Sequence, residues 1–401
     1  MRPRLRALAL LPLSALSLAA QANDFSTRGE VLGYRIDTQT WRGSPYSRVA
    51  RVADHSFNLE ARPDVSWSHE QFATTLKPRF ITSALPGERH SDAWLNEGWL
   101  RWRPADGLSL QAGREALLWG PGAFWNPSNP FFSENSKDNA KREVSGHDIA
   151  RARWQINEHS ALSLIRQFSQ GHRARDKAQR NALKLDWVGD EASAAALVSR
   201  ANDTPPDWQG WAQWTASDAL LVYAEAGYVH GGQWQVPVAA ATPSGWRLQT
   251  QDTRAHTNAL LGASYTFESN WTLATEYWRN GGGLNDADAT ARAQASEALA
   301  SAPHGLADQQ LGALLNASTP MRRHYAGLQL INGSDAKTGW TLRYKRNLDD
   351  DSGEAYVMAK RDLGDQWQLW ASVMLRHGTR GSEYGRWVRG STMLGVSWFA
   401  F

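Results

Sequence analysis

Charged side chains occupy alternate positions in several segments of the chain, where they could bind a charged solute. In residues 56–68 every even position is polar or charged and every odd position is apolar. Guanidinium and ammonium groups bind anions through charge-assisted hydrogen bonds. The predicted solute-facing set is Arg62, Lys77, Arg79, Arg101, Arg103, Arg151, Arg153, Glu60, Glu97, Glu225, Glu276, Arg343 and Lys345. Its early members are richer in cations than in anions, which predicts a preference for anionic solutes. The alternative is that each cation pairs with a neighbouring Glu or Asp and only stiffens the protein.

A second group of candidate binding residues lies in segment 118–146. It comprises Trp119, Phe124, Trp125 and Asn126, within a stretch that also contains Pro and Gly. Proline stiffens a backbone, and glycine permits tight conformations. We therefore expect this segment to form a constriction that holds aromatic side chains across the path of a solute, where they could also bind a sugar. The alternative is a surface loop that packs on its own aromatic side chains.

Enzymatic and cofactor chemistry find little support in the residue pattern. The 11 histidines show no close metal-ligand spacing, and the chain has no cysteine, which excludes disulfides and thiolate metal sites. His147 and Asp148 form an isolated pair, which is more often a hydrogen bond in a loop than a catalytic dyad. No phosphate-binding glycine motif follows a strand. We therefore predict neither an enzyme nor a cofactor.

The elements that carry these side chains are predicted to be β-strands. Alternation with a period of two is typical of a strand that has one apolar and one polar face. The predicted strands are 29–37, 55–68, 71–84, 92–104, 107–117, 147–156, 160–170, 180–188, 191–200, 207–215, 219–230, 256–267, 271–280, 323–332, 338–347, 354–362, 366–377 and 390–401. Eighteen strands with charged side chains on one face indicate an all-β fold.

The connections between these strands alternate between tight turns and long loops. Tight turns are predicted at 104–107, 157–160, 216–218 and 362–365, and long loops at 118–146, 231–255, 281–322 and 378–389. This two-sided pattern favours a single antiparallel up-and-down transmembrane barrel with short periplasmic turns and long external loops. Tryptophans near strand ends would form its interfacial girdles, namely Trp67, Trp94, Trp102, Trp154, Trp208, Trp214, Trp271 and Trp278. A soluble sandwich, solenoid or propeller is the alternative, but no fixed repeat period is present.

The longest loop has helical propensity in two places. Residues 287–302 are rich in alanine, and residues 306–316 contain Leu311, Leu314 and Leu315. A long loop with helices of its own is usually functional or mobile. It could form a lid over the external mouth of the barrel.

The first residues have the composition of a secretory signal peptide. Arg2, Arg4 and Arg6 precede the apolar stretch 8–18, and small residues follow at 20–22. We expect residues 1–22 to be cleaved before Asn23 and residues 23–401 to form the barrel domain. The apolar stretch is short for the alternative, an N-terminal membrane anchor.

The overall charge and hydropathy agree with an exported barrel. The 43 basic and 40 acidic side chains give a formal charge of +3. Removal of the three N-terminal arginines would leave the mature chain neutral, which removes the electrostatic basis for nucleic-acid binding. The mean hydropathy is −0.53, and no long apolar run that could form a membrane helix follows the signal segment.

The C-terminal residues 393–401 resemble the final strand of Gram-negative outer-membrane barrels. Phe401 is the last residue, and the aromatic Phe399 stands two positions earlier, whereas Gly395 and Ser397 replace the larger apolar residues usual there. In that family the terminal aromatic residue is recognised by the barrel-assembly machinery. The resemblance therefore implies location in outer-membrane lipid and assembly by that machinery.

A second resemblance, to porin-like proteobacterial barrels, covers about a tenth of the chain. Its residues are Gly113-Arg114, Trp119-Gly120, Asn126-Pro127, Arg142 and Gly146-His147-Asp148. Eighteen is also the strand number of alginate-export and capsule-assembly barrels and of several substrate-specific porins. This resemblance implies a channel that passes or exports a polar solute or a saccharide, or alternatively a non-conducting surface barrel that binds or helps assemble a polysaccharide. The solute, the direction of transport and the oligomeric state stay open.

Overall fold

The structure of the chain is a computed structural model that describes most of the sequence. The described residues are 24–49, 53–132, 141–169, 171, 179–202, 204–231, 233–252, 255–315, 321–333 and 336–400. The predicted signal peptide and the terminal Phe401 lie outside these residues.

Twenty strands and two α-helices make up the described part of the chain. The strands are β1 (Asp24–Thr40), β2 (His55–His69), β3 (Phe72–Leu85), β4 (Glu88–Ala105), β5 (Leu108–Glu115), β6 (His147–Gln155), β7 (Ser160–Ser169), β8 (Arg180–Val188), β9 (Ala192–Ala201), β10 (Asp207–Thr215), β11 (Leu220–Val229), β12 (Gln233–Ala239), β13 (Trp246–Asp252), β14 (His256–Thr266), β15 (Trp271–Asn280), β16 (His324–Asn332), β17 (Thr338–Asn347), β18 (Gly353–Leu363), β19 (Trp367–His377) and β20 (Val388–Ala400). The helices are α1 (Asp286–Ser301) and α2 (Leu306–Leu315), and a short 3-10 helix spans Pro45–Arg48.

Eighteen of the strands form one closed antiparallel barrel. Each barrel strand pairs with its neighbours in the chain, and β11 pairs with β14 because the separate hairpin β12–β13 lies between them in sequence. The sheet closes where β1 pairs with β20 as well as with β2. The eighteen segments predicted from alternation are these eighteen strands. The hairpin in 231–255 was not predicted.

Alternation along the strands places apolar side chains on the outer wall. In β7, Leu164 is 59% exposed and its neighbour Ile165, which faces the interior, is 4% exposed. The same contrast holds in β14, where Leu261 is 63% exposed and Leu260 only 1%. Large apolar side chains are exposed in this way all round the barrel, which leaves a continuous apolar outer surface.

Aromatic side chains are concentrated where the strands end. Exposed tryptophans near the short-turn end are Trp102, Trp154, Trp187, Trp214, Trp340, Trp367 and Trp398, and Trp208 is exposed at the opposite end. Two of the tryptophans predicted for these girdles face the interior instead. Trp278 is 6% exposed, and Trp94 lines an internal cavity with Glu60 and Arg62.

The strands are joined by short turns at one end and mostly by long loops at the other. The short turns include 70–71, 106–107, 156–159, 189–191, 216–219 and 267–270, and the long loops include 41–54, 116–146, 230–255, 281–323 and 378–387. The predicted pattern is not strict at the long-loop end, where residues 86–87 alone join the long strands β3 and β4, and the connections 202–206 and 348–352 are also short.

Several long loops interlock in a cap at that end. We use the word cap for the 3-10 helix, the hairpin β12–β13, α1, α2 and residues 379–387. Its core contains the buried residues Tyr46, Ala295, Leu299, Ala307, Leu311 and Leu314. Tyr46 and Ser296 share a hydrogen bond of 2.8 Å between their hydroxyl oxygens. Helix α1 begins after Asn285, whose side chain accepts from the backbone N–H of Asp288. Neither α-helix in the described chain has the length and apolar character needed to cross a membrane.

Candidate functional site

The loop between β5 and β6 folds into the barrel and is fastened to the far wall by Glu225. We call residues 116–132 and 141–146 the inserted loop. The carboxylate of Glu225, on β11, accepts hydrogen bonds from the backbone N–H of Gly122 at 2.7 Å, from the backbone N–H of Ser128 at 3.2 Å and from the Ser128 hydroxyl at 2.7 Å. Glu225 is 2% exposed. Buried backbone N–H groups need such acceptors, so this contact fixes the loop.

Glu276 on β15 provides the second fastening point. Its carboxylate accepts hydrogen bonds from the backbone N–H groups of Ala123 and Phe124, the latter at 3.1 Å, and from the Tyr223 hydroxyl at 2.8 Å. Arg343 on β17 donates to the carbonyl oxygen of Ala123 at 2.8 Å, and its guanidinium carbon lies 4.5 Å from the centroid of the Phe124 ring. Glu225, Glu276 and Arg343 were predicted to face the interior. The structure places them there, against the inserted loop.

Phe124 and Trp125 are covered by the barrel wall. They are 0% and 1% exposed and pack with Tyr223, Leu260, Trp278 and Tyr325. Trp125 is stacked on Trp278 with ring centroids 5.3 Å apart. The expectation that these two rings stand across the solute path is therefore wrong, because they anchor the loop and offer no free face to a sugar.

Glycines in the wall make room for the inserted loop. A Cβ atom on Gly327 would lie 2.6 Å from the Phe124 ring, and one on Gly227 would lie 2.4 Å from the carbonyl oxygen of Pro127. Inside the loop, Gly120 has a φ of +87°, a conformation that L side chains rarely adopt. Wall and loop therefore approach each other more closely than residues with side chains would allow.

A second apolar contact holds two parts of the inserted loop against β6–β9. Leu117 and Phe131 pack on Ile149, Ile165 and Leu197, all of which face the interior. Strand alternation had predicted that apolar faces point outward. These side chains, like Tyr223 and Tyr325, point inward because the loop covers them and removes them from water.

The residues of the porin-like resemblance form the internal framework and the base of the loop. Asn126 donates to the carbonyl oxygen of Trp119 at 2.5 Å, and the Trp119 indole donates to the carbonyl oxygen of Ser128 at 3.2 Å. At the base, Arg114 and Asp148 form an ion pair at 2.7 Å. The Gly146 N–H donates to the carbonyl oxygen of Asn96 at 3.0 Å.

All three predicted cations on β2 and β3 are paired with carboxylates. Arg62 pairs with Glu60 at 2.5 Å, Lys77 pairs with Glu97 at 2.7 Å, and the buried Arg79 pairs with both Asp64 and Glu143. Glu143 belongs to the inserted loop, so its pair with Arg79 binds the returning part of the loop to the wall. For this side of the barrel, the alternative in which charges pair and stiffen the wall describes the structure.

The pKa of Glu143 reflects this pairing. Burial by itself would raise the pKa of its carboxyl group, but the hydrogen bonds and positive charges of Arg79 and Arg62 outweigh burial and hold the pKa below its usual value.

Two further predicted cations are also paired. Lys345 on β17 lies 2.9 Å from Glu354, and Arg151 on β6 lies 2.9 Å from Glu115. The buried Lys184 pairs with Asp186, and its ammonium group lies 5.2 Å from the centroid of the Trp119 ring.

Three predicted arginines differ from the others. Arg101, Arg103 and Arg153 have no ion-pair partner among the residues that the structure describes, although Arg101 donates to the Gln111 side chain at 2.9 Å. They lie near the short-turn ends of β4 and β6. Arg103 and Arg153 line a cavity of about 390 Å³ whose lining also includes Glu70 and Asp106. These arginines form the open basic patch of the interior.

The last predicted residues to be located are Phe399, His147 and Asp148. The Phe399 ring faces the interior and lies 5.6 Å from the Lys141 ammonium group. His147 contacts Phe132 edge to face, while Asp148 pairs with Arg114, so the two side chains do not form a dyad. Within the described ranges, no group of three or more His, Asp or Glu side chains is placed to hold a metal ion.

A closed 18-strand antiparallel barrel with a loop folded inside defines the class of the fold, which is that of porins. Crystal structures of three Pseudomonas aeruginosa proteins have this fold. OccK5 (OpdH) matches with a TM-score of 0.54 and 9% identity over 94% of this chain and 98% of that chain. OprD matches with a TM-score of 0.52 and 9% identity over 94% and 95%. OccD3 (OpdP) matches with a TM-score of 0.54 and 10% identity over 94% and 91%.

These similarities concern the fold alone, because the identities are low. No protein-family profile matches the chain, and no curated protein matches it.

Proposed function

We propose that the chain is a channel of the Gram-negative outer membrane that passes small polar, preferably anionic, solutes. The observation that carries this proposal is the open basic patch of Arg101, Arg103 and Arg153 inside a closed barrel. Side-chain charges that line a pore select ions of the opposite sign. Because the other predicted cations are largely neutralised by paired carboxylates, this patch sets the local sign of the interior.

The outer surface supports a membrane location. An apolar belt bordered by exposed aromatic residues matches the lipid-facing wall of outer-membrane barrels. With short turns in the periplasm, the cap would face the outside of the cell and the basic patch would lie towards the periplasmic end. The chain would reach this location through its signal peptide and the barrel-assembly machinery.

The inserted loop is proposed to set the width of the channel. Its fastening to β11, β15 and β17 places it across the interior rather than at the surface. Solute would pass beside the loop and not over Phe124 and Trp125, whose faces are covered. This arrangement favours small charged solutes over saccharides that stack on aromatic rings.

Planar-bilayer recordings of the purified protein test the channel proposal. We expect steady conductance from the wild type and a larger conductance after deletion of residues 120–128. A matched deletion within the hairpin turn 240–245 should leave the conductance near that of the wild type. A silent wild-type protein, or a loop deletion with unchanged conductance, would contradict the proposal.

The second candidate is a non-conducting surface barrel that binds or helps assemble a polysaccharide. It is favoured by the cap, whose helices and hairpin share a buried core and cover part of the long-loop end. Glycan binding by a protein that fails to conduct would support this candidate and exclude the channel.

A further inference from the structure

The outer wall of the barrel has a groove across β4–β8. Its floor consists of Ala112, Ala150 and Ala152, which lie on neighbouring strands β5 and β6. Larger side chains stand on either side, namely Leu100, Trp102, Leu164 and Leu183, each between 39% and 59% exposed. The groove has a volume of about 740 Å³, within the roughly 300–1,000 Å³ typical of ligand clefts.

One end of this groove carries a positive charge. Arg166 on β7 has the same outward orientation as Leu164 and lies beside Ala150 in the sheet register. Its guanidinium donates to the side-chain oxygens of Asn181 at 2.8 Å and Gln179 at 2.9 Å, both at the long-loop end of β8. The side chain therefore extends towards that end, as long cationic side chains do when they reach from an apolar wall to the membrane interface.

Arg166 has no carboxylate partner among the described residues. A charge on a lipid-facing wall is unfavourable unless it reaches water or an anion, and a guanidinium pairs well with a phosphate in a bidentate manner. The groove thus presents an apolar trough that leads to an arginine near the long-loop end of the wall.

We propose that this groove holds one acyl chain of an anionic membrane lipid, one with no headgroup cation to neutralise its phosphate, and that Arg166 binds this phosphate. The inference rests on the proposed membrane location but not on the proposed conductance or its charge preference. A second copy of the chain fits the groove less well, because burial against another apolar barrel wall would leave the Arg166 charge without a neutralising partner.

The test is native mass spectrometry of the full mature chain released from nanodiscs of equal phosphatidylglycerol and phosphatidylcholine content. We expect about fivefold enrichment of retained phosphatidylglycerol over phosphatidylcholine, the factor that one arginine near a membrane surface gives. Arg166→Gln should reduce this ratio to about one. Arg200→Gln is the matched control, since Arg200 is also exposed near the long-loop end but lies outside the groove, and it should keep the enrichment.

A second variant tests the apolar groove independently of the Arg166 charge. Ala150→Trp fills the trough, leaves Arg166 in place and should also remove the enrichment. Equal retention of both lipids by the wild type would overturn the proposal, as would undiminished enrichment in either groove variant or a dimer that Ala150→Trp dissociates. Conductance of the same preparations reports separately on the channel, so failure of lipid retention is distinguishable from failure of the proposed function.

Discussion

The carboxylate of Glu225 on β11 accepts a 2.7 Å hydrogen bond from the backbone N–H of Gly122, although 103 residues separate the two in sequence. Glu276 does the same for Ala123 and Phe124 from β15. The position of the inserted loop therefore depends on two buried carboxylates that the barrel wall supplies.

Replacement of Glu225 by glutamine should loosen the inserted loop. The amide group keeps one acceptor but turns an N–H group towards N–H donors of Gly122 and Ser128, which lose a charge-assisted partner. A hydrogen bond to a charged group contributes about 1.5–3 kcal/mol, so amide exchange in 120–128 should accelerate by roughly tenfold or more. Single-channel recordings should become noisier. Glu158→Gln, in an exposed short turn, is the control. Unchanged exchange in the Glu225 variant would contradict this role.

A methyl group on Gly327 should displace the loop from the wall. The new Cβ would lie 2.6 Å from the Phe124 ring, which is packed on all sides and has little room to move. We expect Gly327→Ala to raise the exposure of Trp125, visible as a red shift of tryptophan fluorescence, while the barrel still folds. Gly33→Ala is the matched strand control, because a Cβ on Gly33 meets no atom within 4 Å. Identical spectra for the two variants would refute the prediction.

Acidification should release the returning part of the inserted loop. The pKa of Glu143 is held below its ordinary value of 4.5. A carboxylate with a depressed folded-state pKa stabilises the folded loop above that ordinary value, and the contribution is lost as pH falls through the lowered pKa. Amide exchange in 141–146, compared at each pH with an unstructured peptide, should therefore rise only below pH 4.5.

The Glu143→Gln variant provides the control for the pH prediction. It should show fast exchange in 141–146 at neutral pH as well, because the amide cannot form the ion pair with Arg79 that holds this segment to the wall. Fast amide exchange in 141–146 of the wild-type protein at neutral pH would contradict the role assigned to Glu143.

The cap should lose local stability when a large side chain in its core is replaced by a small one. Leu311 on α2 is 0% exposed, and a buried Leu→Ala change costs about 2–5 kcal/mol. We expect Leu311→Ala to increase amide exchange in α1 and α2 and to leave the barrel strands protected. Leu306→Ala on the same helix is the control, since Leu306 is 64% exposed. Equal amide exchange in α1 and α2 of the two variants would contradict the idea that the buried core stabilises these helices.

Arg292 links the two helices of the cap, so its replacement is a second test of the stability of the cap. It is 4% exposed and donates to the carbonyl oxygen of Leu314, while burial lowers the pKa of its guanidinium to about 10. Arg292→Met should release that carbonyl and increase proteolysis at the α1–α2 connection. Arg380→Met, at an exposed ion pair with Glu297, should have little effect.

The strands and their two-sided connections could be predicted because alternation is a local property of the sequence. Each barrel strand depends on a period of two that is visible within about ten residues. The helices α1 and α2 were likewise predicted from local propensity. The hairpin β12–β13 was missed although both of its strands have a short alternation, seen in Gln-Trp-Gln-Val at 233–236 and Trp-Arg-Leu-Gln at 246–249, because the whole of 231–255 was interpreted as one long loop.

The partners of the inserted loop could not be predicted in the same way. Ser128, Tyr223, Trp278 and Tyr325 gave no signal, because their contacts join positions that are far apart in the chain. A partial signal was available in Gly227 and Gly327, since a glycine inside a strand often marks a close approach of another backbone or side chain. Likewise, the sequence could not show that Arg79 is paired with carboxylates whereas Arg103 has no carboxylate partner among the described residues.

The ion preference of the wild-type channel tests the central proposal most directly. We predict that the reversal potential in a KCl gradient across a planar bilayer shows preference for chloride, because Arg101, Arg103 and Arg153 face the interior without carboxylate partners among the described residues. The combined Arg101→Gln, Arg103→Gln and Arg153→Gln variant should lose this preference, and Arg279→Gln, which changes an exposed outward residue, should keep it. A wild-type channel that prefers potassium, or shows no preference, would contradict the proposal.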